Sequence, residues 1–481
     1  MNRILPVVAL GLLLLTPASE AQQIPEQAKI HLVGYGEAFV LAVNDESPEE
    51  RLRTVREIYA DATIEAAGEE RLVGLFDRLR GDYGELEYHH SEVTFRTLHI
   101  YARSRGAERW LDFQLRADPE PPHKILRLFF IADVAEPVYL PNGRIEGHET
   151  LEWLDGYIEK LIEENDLSAS LLIARGDQPF FERSFGFADA AKTRPVTAET
   201  RFNLGSGNKM FTALAVVLLE SEGKLSFDDP ILKYFPDFPD QGFARSATIH
   251  HLLSHTSGLG DYRNDEYKRH WDGITRLIDV LPFVYADRVY FAPGSEFGYS
   301  NSGYLLAGLI VEKISGKDYF NFVREHLFEP LGMKDTDSYL RDGSTADLAD
   351  PLSRAEGGWT TAAHGLRGTS AGGGFSTPRD MFDFTRGLIS GRIIESDRLD
   401  LMLESKNSEM EAASAYGYGF ILERSKTGMA SFGHGGLASG INFGLRYFPK
   451  PDITFVIFSN QDNGAYDDLR KNIVKLITGD R

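Results

Sequence analysis

Between residues 48 and 81 apolar side chains return every three or four positions, first as Leu52, Val55 and Tyr59 and then as Leu72, Leu75, Phe76 and Leu79. That period predicts helices with one buried face. From Leu86 onward the period shortens to two. Leu111, Phe113 and Leu115 alternate with Asp112, Gln114 and Arg116, and Leu126, Leu128 and Phe130 alternate in the next run, as half-buried antiparallel strands do. Helices followed by a strand meander predict a small α+β domain over residues 22–137. The turn residues Pro141-Asn142-Gly143 then mark residues 138–147 as a linker.

A second domain is predicted over residues 148–481. Residues 150–164 read as a helix with Leu154, Ile158, Leu161 and Ile162 on one face. Residues 170–174 and 180–187 read as a hairpin. Near the other end, residues 418–423, 430–432, 441–448 and 453–459 read as strands, and residues 465–478 as a closing helix. Terminal helices framing an antiparallel sheet around a helical middle make this domain α+β as well. No internal repeat or low-complexity tract interrupts the chain.

Composition narrows the function. At 481 residues the chain exceeds one ordinary core, which agrees with two domains, and a hydrophobic share of 42% fits a soluble globular protein. The net charge of −21 argues against a nucleic-acid partner, which would select a basic face. Net charge does not describe any single pocket, so a local basic site stays open. Arg3, the apolar residues 4–15 and the small-residue pattern Ser19-Glu20-Ala21 form an export signal, residues 1–21, so the expected location is periplasmic or secreted. That run is shorter than the roughly 20 residues a membrane span requires, and no later segment is long enough. Cysteine is absent, which excludes disulfides and a thiol nucleophile.

The chemistry concentrates in three places. Gly205-Ser206-Gly207-Asn208-Lys209 precedes an apolar helix that ends at Gly223. Residues three apart on a helix sit about 5 to 6 Å apart at Cβ, so the Lys209 amine can reach the Ser206 hydroxyl, and a helix N-terminus favours developing negative charge. The bland alternative is a capping serine beside a solvated lysine. Further on, Tyr299-Ser300-Asn301 ends a loop before another apolar helix. Tyr299 can act as acid or base if a cationic lysine lowers its phenol pKa, and Asn301 can hold an acyl amide; the tyrosine could equally be a packing aromatic. Finally, Gly433-His434-Gly435-Gly436 lies on a predicted strand where glycines let a substrate approach. His434 could bond that substrate or be an ordinary strand histidine.

Ser206-x-x-Lys209, Tyr299-x-Asn301 and His434-x-Gly436, in this order, resemble the motifs of class C β-lactamases and their penicillin-binding, D-aminopeptidase and esterase relatives. The similarity extends over residues 150–478 and takes in the runs 252–259 and 371–377. It implies a β-lactamase/transpeptidase-like fold, an antiparallel sheet flanked by helices with a helical subdomain. The preceding α+β unit resembles, by element order alone, the nuclear-transport-factor-2-like cone. The family resemblance further implies that Ser206 attacks a carbonyl and is acylated, that Lys209 and Tyr299 share the proton traffic, and that the N–H groups of Ser206 and Leu437 form an oxyanion hole with Gly436 beside them. It implies no metal and no cofactor, and a small-molecule or peptide substrate: a D-amino-acid amide or peptide, an ester or a β-lactam. Where the family carries a lysine in the third motif this chain carries His434, whose ordinary pKa near about 6.5 makes it a weaker carboxylate partner.

Several decoys are set aside. Lys426-Thr427-Gly428 spells a lysine motif but falls in a turn between predicted strands. Gly368-Thr369-Ser370-Ala371-Gly372 spells a nucleophile elbow without the strand and helix that an elbow needs, so an α/β-hydrolase esterase using Ser370 is a rival reading. A sensor module that is acylated with little turnover is another. His251 and His255 lack the third ligand of a zinc site, and His89 and His90, adjacent on a strand, are expected on opposite faces.

Overall fold

The computed structural model describes residues 26–480 apart from 95–96, 106–108, 119, 135–139, 142–144, 357, 407–413 and 463. The predicted signal, residues 1–21, and half of the predicted linker, residues 138, 139 and 142–144, lie outside the described residues. The chain divides after Tyr139 into two compact units.

The first unit packs four helices against one sheet. Helices α1 (Glu26–Asn44), α2 (Pro48–Ile58), α3 (Asp61–Ala67) and α4 (Glu69–Tyr83) precede strands β1 (Leu86–Thr94), β2 (Thr97–Ser104), β3 (Arg109–Ala117) and β4 (Ile125–Val134). The strands form an antiparallel meander in chain order. Leu98, Ile100 and Ala102 stand opposite Leu115, Phe113 and Leu111, and this face closes on Phe39, Val43 and Phe76. Pro48 opens α2, and the preceding Ser47 hydroxyl accepts the Glu50 N–H. Helix α1 went unread in the sequence although Leu32, Tyr35, Phe39 and Val43 recur at helical spacing. Gly36 has a packing reason to interrupt that apolar pattern, since a Cβ there would meet Ser91 Oγ at 1.9 Å.

Alternation fails at one place in β1. The register shifts between Tyr88 and His90, so His89 is a bulge residue. Instead of pointing to opposite faces, His89 and His90 bring their Nδ1 atoms within 2.7 Å of each other. His89 meets Trp110 edge-on and His90 stacks on Tyr101.

The second unit opens with helix α5 (His148–Asn165) and the hairpin β5 (Ala169–Arg175) and β6 (Gln178–Phe185). Its middle holds the helices α6 (Lys209–Ser221), α7 (Asn301–Ser315) and α8 (Pro378–Ile389) among shorter turns. Then come β7 (Ser414–Tyr416), β8 (Ile421–Arg424), β9 (Ala430–Ala438), β10 (Ile441–Phe448), β11 (Ile453–Ser459) and the closing helix α9 (Gly464–Thr478). The seven strands run in the order β7-β8-β9-β10-β11-β5-β6, every pair antiparallel. Helix α6 is buried on nearly every side, from Met210 to Val217 and at Leu219, and packs against the equally buried α7. A helix apolar all round belongs inside a domain, which is why this one can carry a desolvated amine at its first residue.

Two strand boundaries moved. The strand expected from residue 418 begins at Ile421, because Gly419 takes φ +78° and lets the backbone pass against α6, where a Cβ would lie 2.7 Å from Ala213 Cβ. Conversely, β9 runs on through Gly433, Gly435 and Gly436 to Ala438. A Cβ at Gly433 would stand 2.0 Å from Leu445 O, so close packing on β10 holds glycines in a strand they would not favour by propensity.

Candidate active site

Ser206 sits in a single 3-10 turn, Gly205–Asn208, immediately before α6. Gly205 adopts φ +49°, and a Cβ on it would come within 3.0 Å of Gly436 Cα. Glycine at both positions therefore lets β9 pass directly over the turn that holds the serine. On the other side, residues 368–374 wrap the same turn through a series of bonds. Leu204 N–H donates to Gly374 O at 2.6 Å, Asn208 Nδ2 to Thr369 O at 2.7 Å, and Thr212 Oγ1 to Ser370 O at 2.6 Å.

Lys209 is 0% exposed. Its Nζ lies 3.3 Å from Ser206 Oγ, 2.8 Å from Asn301 Oδ1 and 2.5 Å from Ala371 O. Burial drives its pKa well below the ordinary lysine range, the charge of Arg263 adds to that, and Asp261 opposes it. Tyr299 comes in from the loop before α7. Its ring lies 4.7 Å from Lys209 Nζ and 4.2 Å from the ring of His255, and its phenol is within electrostatic reach of Ser206. The residue as a whole is 42% exposed, yet burial of the phenol raises its pKa more than Ser206 and Arg263 lower it. The lowered phenol expected from a cationic neighbour is thus reversed, because burial disfavours the phenolate. Among the sequence-read residues, Ser206, Lys209, Tyr299 and Asn301 are brought together.

His255 is fully buried at φ +60°, and its Nδ1 accepts the Ser300 N–H at 3.0 Å. It thereby fixes the backbone between Tyr299 and Asn301 and supplies a ring for Tyr299 to lean on. Asn301 Nδ2 donates to Asp261 Oδ2 at 2.8 Å, and Asp261 pairs with Arg263 at 2.7 Å. A chain of polar contacts therefore runs from Ser206 through Lys209 and Asn301 to Asp261 and Arg263.

Residues 154–479 match the Beta-lactamase family over this whole arrangement. The chain belongs to that family. It is 29% identical over 331 residues to a penicillin-binding protein of Bacillus subtilis (strain 168), covering 64% of this chain and 71% of that protein. The crystal structure of a penicillin binding protein from Bacillus halodurans is 31% identical with a TM-score of 0.60, and covers 66% of this chain and 99% of that one. That of D-amino acid amidase from Ochrobactrum anthropi SV3 is 25% identical with a TM-score of 0.57, and covers 68% of this chain and 99% of that one.

The third motif is arranged differently from the expectation. His434 is 2% exposed, and its ring nitrogens are engaged within the protein. Its Nε2 lies 3.0 Å from the Tyr416 hydroxyl and its Nδ1 2.5 Å from Gly435 O, so the ring donates from Nδ1 and accepts at Nε2. Burial above all lowers its pKa to about 3, which keeps it neutral. Leu437, by contrast, lines the cleft with Ser206 and is 73% exposed. Gly436 packs behind it, where a Cβ would lie 2.0 Å from Leu204 O.

The rival serine is not in the cleft. Ser370 is fully buried, with its hydroxyl 3.5 Å from Leu305 O and its Cβ against Gly308. Lys426 is exposed in the turn between β8 and β9. His251 is spent on a helix cap, accepting the Thr248 N–H at 3.1 Å. Among the described residues no group of three or more His, Asp or Glu side chains is placed to hold a metal, and no helix is long and apolar enough to cross a membrane.

The cleft itself measures about 370 Å³. Beyond the motif residues it is walled by Tyr262, Tyr267 and Trp271 and carries Arg263, Arg341 and His364. Sequence reasoning missed these, since they come from loops and from helical turns at Asp265–His270 and Trp271–Gly273 too short to show a period. The carbonyl of Ala371, which holds Lys209, was equally invisible because a backbone oxygen leaves no mark in residue type.

Proposed function

We propose that this protein is a serine hydrolase that cleaves a small amide or ester through an acyl-enzyme on Ser206. The supporting observation is the setting of Lys209. A neutral amine has two N–H groups and one lone pair. Asn301 Oδ1 and Ala371 O take the two hydrogens, which leaves the lone pair facing Ser206 Oγ. Because burial favours the neutral form, Lys209 is the group poised to accept the serine proton, while Tyr299, still protonated, is poised to pass a proton toward the leaving group.

In the forward step Ser206 Oγ bonds to the carbonyl carbon and its proton moves to Lys209. The carbonyl oxygen turns toward the N–H groups of Ser206 and Leu437, and collapse expels the amine or alcohol with a proton delivered through Tyr299. Water then repeats the sequence, freeing the acid and restoring the serine. Relatives named as penicillin-binding proteins and D-amino acid amidases make β-lactams and D-amino-acid amides the first compounds to try. The pattern of residues 1–21 supports action outside the cytoplasm. A fluorophosphonate probe followed by intact mass measurement tests the assignment: one adduct on the wild type and none on Ser206→Ala is expected. Equal labelling of both would overturn it.

A further inference from the structure

The cleft carries an excess of positive charge that the third motif does not explain. Its lining includes Arg263, Lys268, Arg341 and Arg367 against a single carboxylate, Asp261, in a protein of net charge −21. Most of these cations are committed. Arg263 holds Asp261, and Lys268 stands 3.9 Å from Asp265. Arg367 donates to Ser338 O at 3.0 Å and lies 3.7 Å over the Phe320 ring. His364 adds no charge, since burial lowers its pKa, and it is bonded through Nε2 to Ser439 O at 2.6 Å.

Arg341 is different. Its backbone is anchored, N–H to Leu366 O at 2.8 Å, and the residue is partly buried. Yet its guanidinium has no hydrogen-bond or ion-pair partner among the described residues. The carboxylate that influences it, Asp350, is already engaged with Arg194 at 3.1 Å. A partly buried guanidinium without an acceptor carries a desolvation cost that an incoming anion relieves, and its planar fork matches a carboxylate in two parallel bonds. His434 cannot do this work, being buried, neutral and turned to Tyr416.

Building on the hydrolase reading, we propose that Arg341 is the carboxylate receptor of this cleft, so that the preferred substrates are small amides or esters bearing a carboxylate. Recognition of the substrate's charge then falls to Arg341 rather than to the third-motif strand, and the aromatic wall of Tyr262, Tyr267 and Trp271 packs the apolar part of the molecule.

The test compares charge-matched ester pairs on the full chain. Mono-p-nitrophenyl adipate is set against p-nitrophenyl hexanoate for a carboxylate on the acyl side, and 3-carboxyphenyl acetate against phenyl acetate for one on the leaving group. We expect the wild type to favour the charged ester in one pair by kcat/KM. Arg341→Gln should cut that preference by roughly ten- to a hundredfold, the worth of a charged hydrogen bond, and Arg341→Lys should cut it less. Fluorophosphonate labelling of Ser206 in each variant reports an intact site, and if Arg341→Gln fails to label, the comparison rests on Arg341→Lys. No preference in either pair, or a preference that Arg341→Gln leaves unchanged, overturns the receptor while the hydrolase stands. A wild type that neither labels nor cleaves any of the four esters overturns both.

Discussion

At the scale of single residues, burial reassigns the roles that residue type suggests. Lysine is ordinarily a cation to about pH 10.4, but Lys209 at zero exposure is pushed toward the neutral amine, and the phenol of Tyr299 is pushed the other way. The sign for activity follows. Protonating Lys209 removes the base, so kcat/KM should fall as pH drops through its lowered pKa and recover above it. His434 at about 3 and His255, also held well below its usual range by burial, stay neutral throughout, so an acidic limb near neutrality cannot be theirs. A pH–rate profile checks this: His434→Gln should keep the limb, and Lys209→Met should lose it along with roughly 10²- to 10⁴-fold of the rate. A limb that appears only above pH 10 would remove Lys209 from the role. Tyr416→Phe takes away the hydroxyl that faces His434 Nε2 and leaves a buried acceptor unpaired. Denaturant unfolding should then report a loss of about 1–3 kcal/mol.

At the scale of elements, the site is a meeting of one turn, one strand and one loop at glycine contact distance. The turn at Gly205 and strand β9 at Gly436 touch backbone to backbone, and a methyl group on Gly436 would stand 2.0 Å from Leu204 O. Neither partner is a flexible side chain, so strand and turn must separate. Gly436→Ala should lower kcat about a hundredfold with circular dichroism unchanged, since displacements near 1 Å at reacting groups cost that much. Unaltered kinetics would mean the contact is softer than its geometry. The same scale shows where periodicity misleads. His89 and His90 were expected on opposite faces from alternation alone, and one bulge residue in β1 puts their rings together. Strand β9 is the reverse case, a glycine-rich run held extended by its neighbour.

At the scale of the whole molecule, the two units carry separate hydrophobic cores, one around Phe39, Phe76 and Phe113 and another around α6 and α7. Separate cores unfold with separate cooperativity, so calorimetry should resolve two transitions, and fluorophosphonate reactivity should vanish with only one of them. A single transition that removes both would contradict that expectation. Charge also depends on scale. The net −21 argues against a nucleic-acid surface as a global property but leaves room for a cleft in which cations outnumber acids.

Residue type and short-range spacing were enough to identify the meander of the first unit, the strands and helices that frame the second, the three motifs and the pairing of Ser206 with Lys209, because all of these depend on neighbours within a turn or a pleat; α1, α8 and β7 went unread. Family membership was legible for the same reason. What spacing could not carry was decided by contacts between distant segments: the burial that neutralises Lys209, the Ala371 carbonyl that orients it, the turn of His434 toward Tyr416 and the placing of Arg341 in the cleft. Proton affinity and hydrogen-bond satisfaction depend on which groups surround a side chain from every direction, and a linear pattern records only those that precede and follow it.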